Sequence, residues 1–131
     1  MTLSRRSVLM SLTLAGVVGT PSLSVAQTNF TQEAFRAAQA AGQPILVEVH
    51  ADWCPVCVRQ KPILGALAAD PAFASLTRFL VDFDTQKDVV QHLRVTRQST
   101  LIVYRGATER GRSIGDTDAA SIRALVTRAL A

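Results

Sequence analysis

From residue 31 onward the chain alternates between apolar residues at helical spacing and short, nearly unbroken apolar runs. "TQEAFRAAQAAGQP" (31–44) places Phe35, Ala38 and Ala41 on one face, which predicts a helix that Gly42 and Pro44 stop. "ILVEVHA" (45–51) is almost wholly apolar, as in a strand covered on both faces. Helical spacing returns from Cys54 to about Ala69, with an interruption or bend expected at Pro62. "DPAFASL" (70–76) connects to a second strand, "TRFLVDFD" (77–84), and Thr85 is placed to cap a short helix ending near Leu93. "STLIVYRG" (99–106) predicts a third strand running into a glycine turn, and "ERGRSIG" (109–115) returns along it as a hairpin. The last helix carries Ile122, Leu125, Val126 and Ala129 on its apolar face.

Strand–helix–strand segments need a crossover and therefore pair in parallel, whereas the hairpin adds antiparallel strands. The expected fold class is α/β, a three-layer α/β/α sandwich around a mixed central sheet of roughly four strands. Residues 27–131 form one domain, without repeats or low-complexity linkers.

The first 26 residues follow a different pattern. Arg5 and Arg6 precede an uncharged apolar run from Val8 to Val18, then Pro21 and the small residues Ser24 and Ala26. This is the layout of a signal peptide cut after Ala26. "SRRSVL" resembles a twin-arginine export signal, with Val8 where phenylalanine is common. The apolar run is shorter than the ~20 residues of a spanning helix, so an uncleaved anchor is the weaker alternative. Export implies an oxidising compartment, the bacterial periplasm. The net charge of +4 includes Arg5 and Arg6, and no basic stripe interleaves with aromatics, which argues against nucleic acid as a partner.

Both cysteines lie in "ADWCPVCVRQKP" (51–62). A structural staple here closes a very small loop and removes little unfolded-state entropy. Zinc needs about four ligands, and beyond the cysteines only His50 and His92 are offered, neither at finger spacing. Covalent haem attachment requires histidine after the second cysteine, where Val58 stands. A redox pair fits best. Cys54 falls at a helix N-cap with Pro55 at the first helical position, so free N–H groups and the dipole stabilise its thiolate. Cys57, one turn on, can resolve a mixed disulfide. Trp53 shields one side and lines a partner groove. A soft-metal site for Cu(I), built on Cys54, Cys57 and His50 or a borrowed ligand, is the competing class, as a non-catalytic binding or delivery module.

From about Phe30 to Ala131 the chain resembles the thioredoxin family. The resemblance rests on "ILVEVHADWCPVC", on Pro62 within the active-site helix, on "VDFD", and on "STLIVYRG" with its hairpin and final helix. The family's extra N-terminal strand is expected to be absent. The resemblance implies a thioredoxin-like protein-disulfide oxidoreductase with Cys54 attacking and Cys57 resolving. It needs no cofactor or resident metal, is expected to be monomeric, and acts on protein thiols and disulfides with a membrane or periplasmic redox partner. Glu48 takes the place of the family's buried acid, and a desolvated carboxylate there could take the Cys57 proton. His50 stands where an aromatic residue is frequent, and either tunes the thiolate or is an ordinary surface histidine.

One position departs from the family. Where a cis-proline normally precedes threonine opposite the cysteines, this chain has Ser99 before Thr100, and no proline follows Pro71. A cis bond before a non-proline residue costs about 2.5–4 kcal/mol, so the Gln98–Ser99 bond is expected to be trans and the loop reshaped. Trp53, Pro55, Gln98, Ser99 and Thr100 are the expected substrate-binding residues, Gln98 by strand-like backbone pairing.

Overall fold

The computed structural model describes Gly16, Gly19 and residues 25–131. The leader reading over residues 1–26 therefore lies almost wholly outside the described residues. Among the described residues, five strands and four α-helices follow in the order β1 (Gln27–Asn29), α1 (Gln32–Ala40), β2 (Pro44–His50), α2 (Pro55–Ala69), β3 (Thr77–Asp82), α3 (Lys87–His92), β4 (Thr100–Arg105), β5 (Thr108–Ile114) and α4 (Ala119–Thr127), with 3-10 turns at Pro71–Phe73 and Arg128–Leu130.

The sheet order is β1-β3-β2-β4-β5. β3 pairs in parallel with β1 and β2, and β4 pairs antiparallel with β2 and β5. The expected thioredoxin-like sandwich is the observed fold, with a fifth strand. β1 corrects the expectation that the N-terminal strand is absent: it was not legible because Gln27, Thr28 and Asn29 are polar and exposed. It is an edge strand held by backbone pairing to Arg78, Phe79 and Leu80.

The strand at the centre explains its own sequence. Pro44 to Val49 are all buried, because helices cover both faces of β2. Its odd residues, Ile45, Val47 and Val49, join Phe30, Phe35, Phe79, Val89 and Ile102 in one core. Leu46 joins Leu64, Leu67, Leu101, Ile122 and Val126 in the other. Glu48 shares this second face by the two-residue period of the strand. An acid therefore lies beneath α2, the helix that carries the cysteines.

α2 runs through Pro62 to Ala69 without interruption. Two boundaries differ from expectation. Residue 86, a glutamine without a side-chain cap, starts α3, because the Asp82 carboxylate already accepts from the amides of Asp84 and Thr85. β5 begins at Thr108, after Gly106 turns the hairpin with φ +58°. A Cβ at Gly106 would stand 3.3 Å from the Gln39 oxygen and the Gly42 Cα, so both the turn and the close approach call for glycine.

Candidate functional site

The site forms where β2 ends and α2 begins. Cys54 is the N-cap of α2 in extended conformation, with Pro55 at the first turn. The Cys57 amide donates to Cys54 Sγ at 3.1 Å. This satisfies a free helix N-terminal donor and stabilises the sulfur when it carries negative charge. The Cys54 amide in turn donates to the Ala51 carbonyl at 3.1 Å, closing the turn that presents the motif. Both cysteines are free thiols, 1% and 4% exposed.

The two sulfurs have different surroundings. Burial pushes the Cys57 thiol above its ordinary pKa, and the hydrogen bond and charge of Cys54 push it further. The backbone of Ala51 and of Ser99 opposes this shift. Cys57 thus holds its proton until a reaction draws it off, which suits the second of two consecutive thiol steps.

Trp53 is 61% exposed, and its indole N–H donates to Asp84 Oδ2 at 2.7 Å. The ring is therefore pinned beside the motif with its face toward solvent. Val58 and Ile114 are the other large apolar side chains that stand exposed among the described residues. Val58 follows Cys57 on α2, and Ile114 pairs across the sheet with Thr100.

The wall opposite carries the departure from the family. The described residues contain no cis peptide bond, so Gln98–Ser99 is trans as expected. Ser99 adopts φ +60°, a left-handed conformation that costs a non-glycine residue about 1–2 kcal/mol. Its amide donates to the Val49 carbonyl at 2.8 Å, and its hydroxyl donates to the Gln98 carbonyl at 2.5 Å. The Thr100 hydroxyl donates to the Arg97 carbonyl at 2.7 Å, so the hydroxyls of this segment tie down their own loop. The Gln98 carbonyl, expected to face a substrate strand, already accepts a hydrogen bond from within the chain.

Glu48 is 3% exposed, buried as expected, but it is not alone. Arg78 Nη2 donates to its Oε1 at 2.7 Å, and the Gln27 amide donates to its Oε2. Arg78 Nε has no hydrogen-bond partner among the described residues. Glu48, Arg78 and Gln27 line a pocket of about 210 Å3 under α2, together with His50, Gln60 and Lys61. His50 Nδ1 lies 4.0 Å from Asp52 Oδ1, at the edge of an ion-pair distance. Both oxygens of Glu48 are thus engaged within the chain, one by Arg78 and one by Gln27.

Arg78 and Gln60 were not singled out from the sequence. A lone arginine in a strand beside a strand with a lone glutamate was the available signal for the first. Glu48 and Arg78 lie two positions apart across the β2–β3 register, on the same face. Gln60 carried no signal of its own. Among the described residues no cluster of three or more His, Cys, Asp or Glu side chains could hold a metal ion.

A family model described as Thioredoxin matches residues 21–128. The thioredoxin of Chlamydia trachomatis is 31% identical over 98 residues, which are 75% of this chain and 93% of that protein. The crystal structure of Trxlp from Edwardsiella tarda is 48% identical, with a TM-score of 0.75 over 77% of this chain and 98% of that one. The crystal structure of Malassezia sympodialis thioredoxin also reaches a TM-score of 0.75, over 88% of this chain and 100% of that one, at 17% identity, a likeness of fold.

Proposed function

Because the chain belongs to the thioredoxin family, we propose that it exchanges disulfides with partner proteins in the periplasm through Cys54 and Cys57. That it is a thioredoxin-like protein-disulfide oxidoreductase follows from the family itself. The observation that carries the assignment of roles is the N-cap geometry, with the Cys57 amide donating to Cys54 Sγ. Cys54 attacks a partner disulfide to form a mixed disulfide. Cys57 then attacks Cys54, releases the partner as a thiol and leaves Cys54–Cys57 oxidised. Trp53 and Pro55 flank the incoming chain, and Gln98, Ser99 and Thr100 form its far wall.

Glu48 serves in proton balance. Arg78 and the Gln27 amide already occupy its two oxygens, so Glu48→Gln should slow turnover by well under the ~100-fold typical of a strong general base.

Export rests on the Arg5–Arg6 pair, the apolar run behind it and the small residues before the cut. A cut after Ala26 makes Gln27 the first residue, keeping both β1 and the Gln27 contact to Glu48. We further propose that the mature domain acts as a monomer with a membrane or periplasmic redox partner.

The reduction potential of the Cys54–Cys57 couple tests this assignment. A reductant lies toward about −270 mV and a strong oxidant toward about −120 mV. A pair that does not cycle reversibly in glutathione buffers would contradict the proposal. Fusing residues 1–26 to a periplasm-dependent reporter tests export, with Arg5→Lys/Arg6→Lys expected to block it if the twin-arginine route is used.

A further inference from the structure

The wall facing Cys57 lacks the family's rigid proline ring, yet several hydrogen bonds tie it down. We infer that Gln60 is a positioning residue that holds the Ser99 wall against Cys57 and thereby sets the rate at which Cys57 resolves a mixed disulfide. This rests on the proposed roles of the two cysteines.

Gln60 lies on α2, three residues after Cys57, and is 3% exposed. Its side-chain amide nitrogen donates to the Ser99 carbonyl at 3.2 Å and to the Asp116 carbonyl at 2.8 Å. A primary amide has two hydrogens, and both are used. One side chain thus joins the cysteine helix to the loop before β4 and to the loop after β5. The Gly115 amide adds a third tie, donating to the same Ser99 carbonyl at 3.0 Å.

This clamp has something to hold. Ser99 sits at φ +60°, which a serine adopts only where its surroundings impose it. Its backbone is also one of the groups that act on the Cys57 sulfur, opposing the effect of burial. Gln60 stands on the same helix as Cys57, so its two hydrogen bonds tie the Ser99 loop to the element that carries the sulfur. Cys54 is placed by its own contacts, with Ala51 and with Cys57, and does not depend on Gln60.

The affected step is the second one. In the mixed disulfide, Cys57 loses its proton and its sulfur attacks the Cys54 sulfur. The Cys54–Cys57 bond forms as the bond to the partner breaks, and the partner leaves as a thiolate that takes up the proton. Loosening Ser99 uncouples the wall beside Cys57 from the helix that carries the sulfur, so the two are no longer held in register when Cys57 attacks. Attack by Cys54 is unaffected.

The test uses the reduced protein with oxidised glutathione as the probe. Acid quenching, alkylation and intact mass resolve formation of the glutathione adduct from its decay to the internal disulfide. In Gln60→Met, which keeps length but has no donor, decay should slow about fivefold or more while formation stays within about twofold. Gln60→Glu places acceptors against two carbonyl oxygens and should be slower still at pH 8. Equal rates, or both steps slowed by the same factor, would overturn the inference. If the wild-type protein forms no adduct, the cysteine roles themselves fail, which is a separate outcome. A readout on the unmodified protein stands even if the variants fold poorly. The Gln60 side-chain amide hydrogens should exchange with solvent at least about tenfold more slowly than those of exposed glutamines such as Gln91. Ordinary exchange at Gln60 would overturn the clamp.

Discussion

Replacing Arg78 with methionine should destabilise the protein by about 3–5 kcal/mol, the usual result of stranding one member of a buried ion pair. The Arg78–Glu48 pair is 2.7 Å long, with side chains 9% and 4% exposed. At an effective dielectric constant near 20, charges at that distance attract by about 6 kcal/mol. Much of this offsets the cost of taking both ions out of water, and the unpaired Nε of Arg78 leaves that cost incompletely met. Val25 contributes little, because its carbonyl lies 3.4 Å from Nη1 and the proposed cut after Ala26 removes it. The loss in Arg78→Met is therefore mostly the charge left on Glu48, with the Gln27 amide as its remaining partner among the described residues. The double variant Arg78→Met/Glu48→Gln removes that charge and should recover most of the loss. Urea unfolding of the reduced protein at neutral pH, analysed for both variants, measures this directly. A loss below about 1 kcal/mol in Arg78→Met, or a double variant as unstable as the single one, would refute the reasoning.

Trp53→Ala should raise KM for a protein disulfide about tenfold, near 1.4 kcal/mol, and leave both small-disulfide turnover and stability almost unchanged, as a ring 61% exposed predicts. Steady-state kinetics on the two substrate types check it, and equal losses on both would count against a docking role. Ser99→Pro should destabilise by more than about 1 kcal/mol, because proline cannot reach φ +60° and loses the amide bond to Val49, whereas Ser99→Gly should be tolerated. Thermal midpoints compare the two, and a stabilised proline variant would mean that the loop takes another course. Acid stability is set in part by two carboxylates. The Ala72 amide, with Arg123, holds Asp70 below the ordinary carboxylate value, and the Thr85 amide, assisted by Asp84, does so for Asp82. Their contribution is complete above the ordinary value of 3.8 and is lost as pH falls through their lower folded values. Asp70→Asn and Asp82→Asn should therefore flatten the stability profile below about pH 4, and an unchanged slope would contradict the assignment.

The layered fold was legible because β2 is buried on both faces and reads as an unbroken apolar run, and because the helices keep their apolar spacing. Cys54 was legible as an N-cap from proline at the next position. β1 was not, since an edge strand can be held by backbone alone and leaves no side-chain pattern. The start of α3 was misplaced because Asp82, rather than Thr85, captures the amides of that turn. Glu48 could be read as buried, but not as paired, because Arg78 is distant in sequence and adjacent only through strand register. Ser99 was visible as a departure through the proline it lacks. The left-handed backbone and the Gln60 clamp that accompany it depend on three segments meeting, which no local pattern encodes.

The central claim is that Cys54 attacks and Cys57 resolves. The most direct measurement is disulfide reductase turnover of Cys54→Ser and Cys57→Ser beside the wild-type protein, with intact mass of each after reaction. Cys54→Ser should lose turnover and form no adduct, while Cys57→Ser should stall with one partner held on Cys54. Full activity in Cys54→Ser, or a stalled adduct mapped to Cys57 in that variant, would contradict the account.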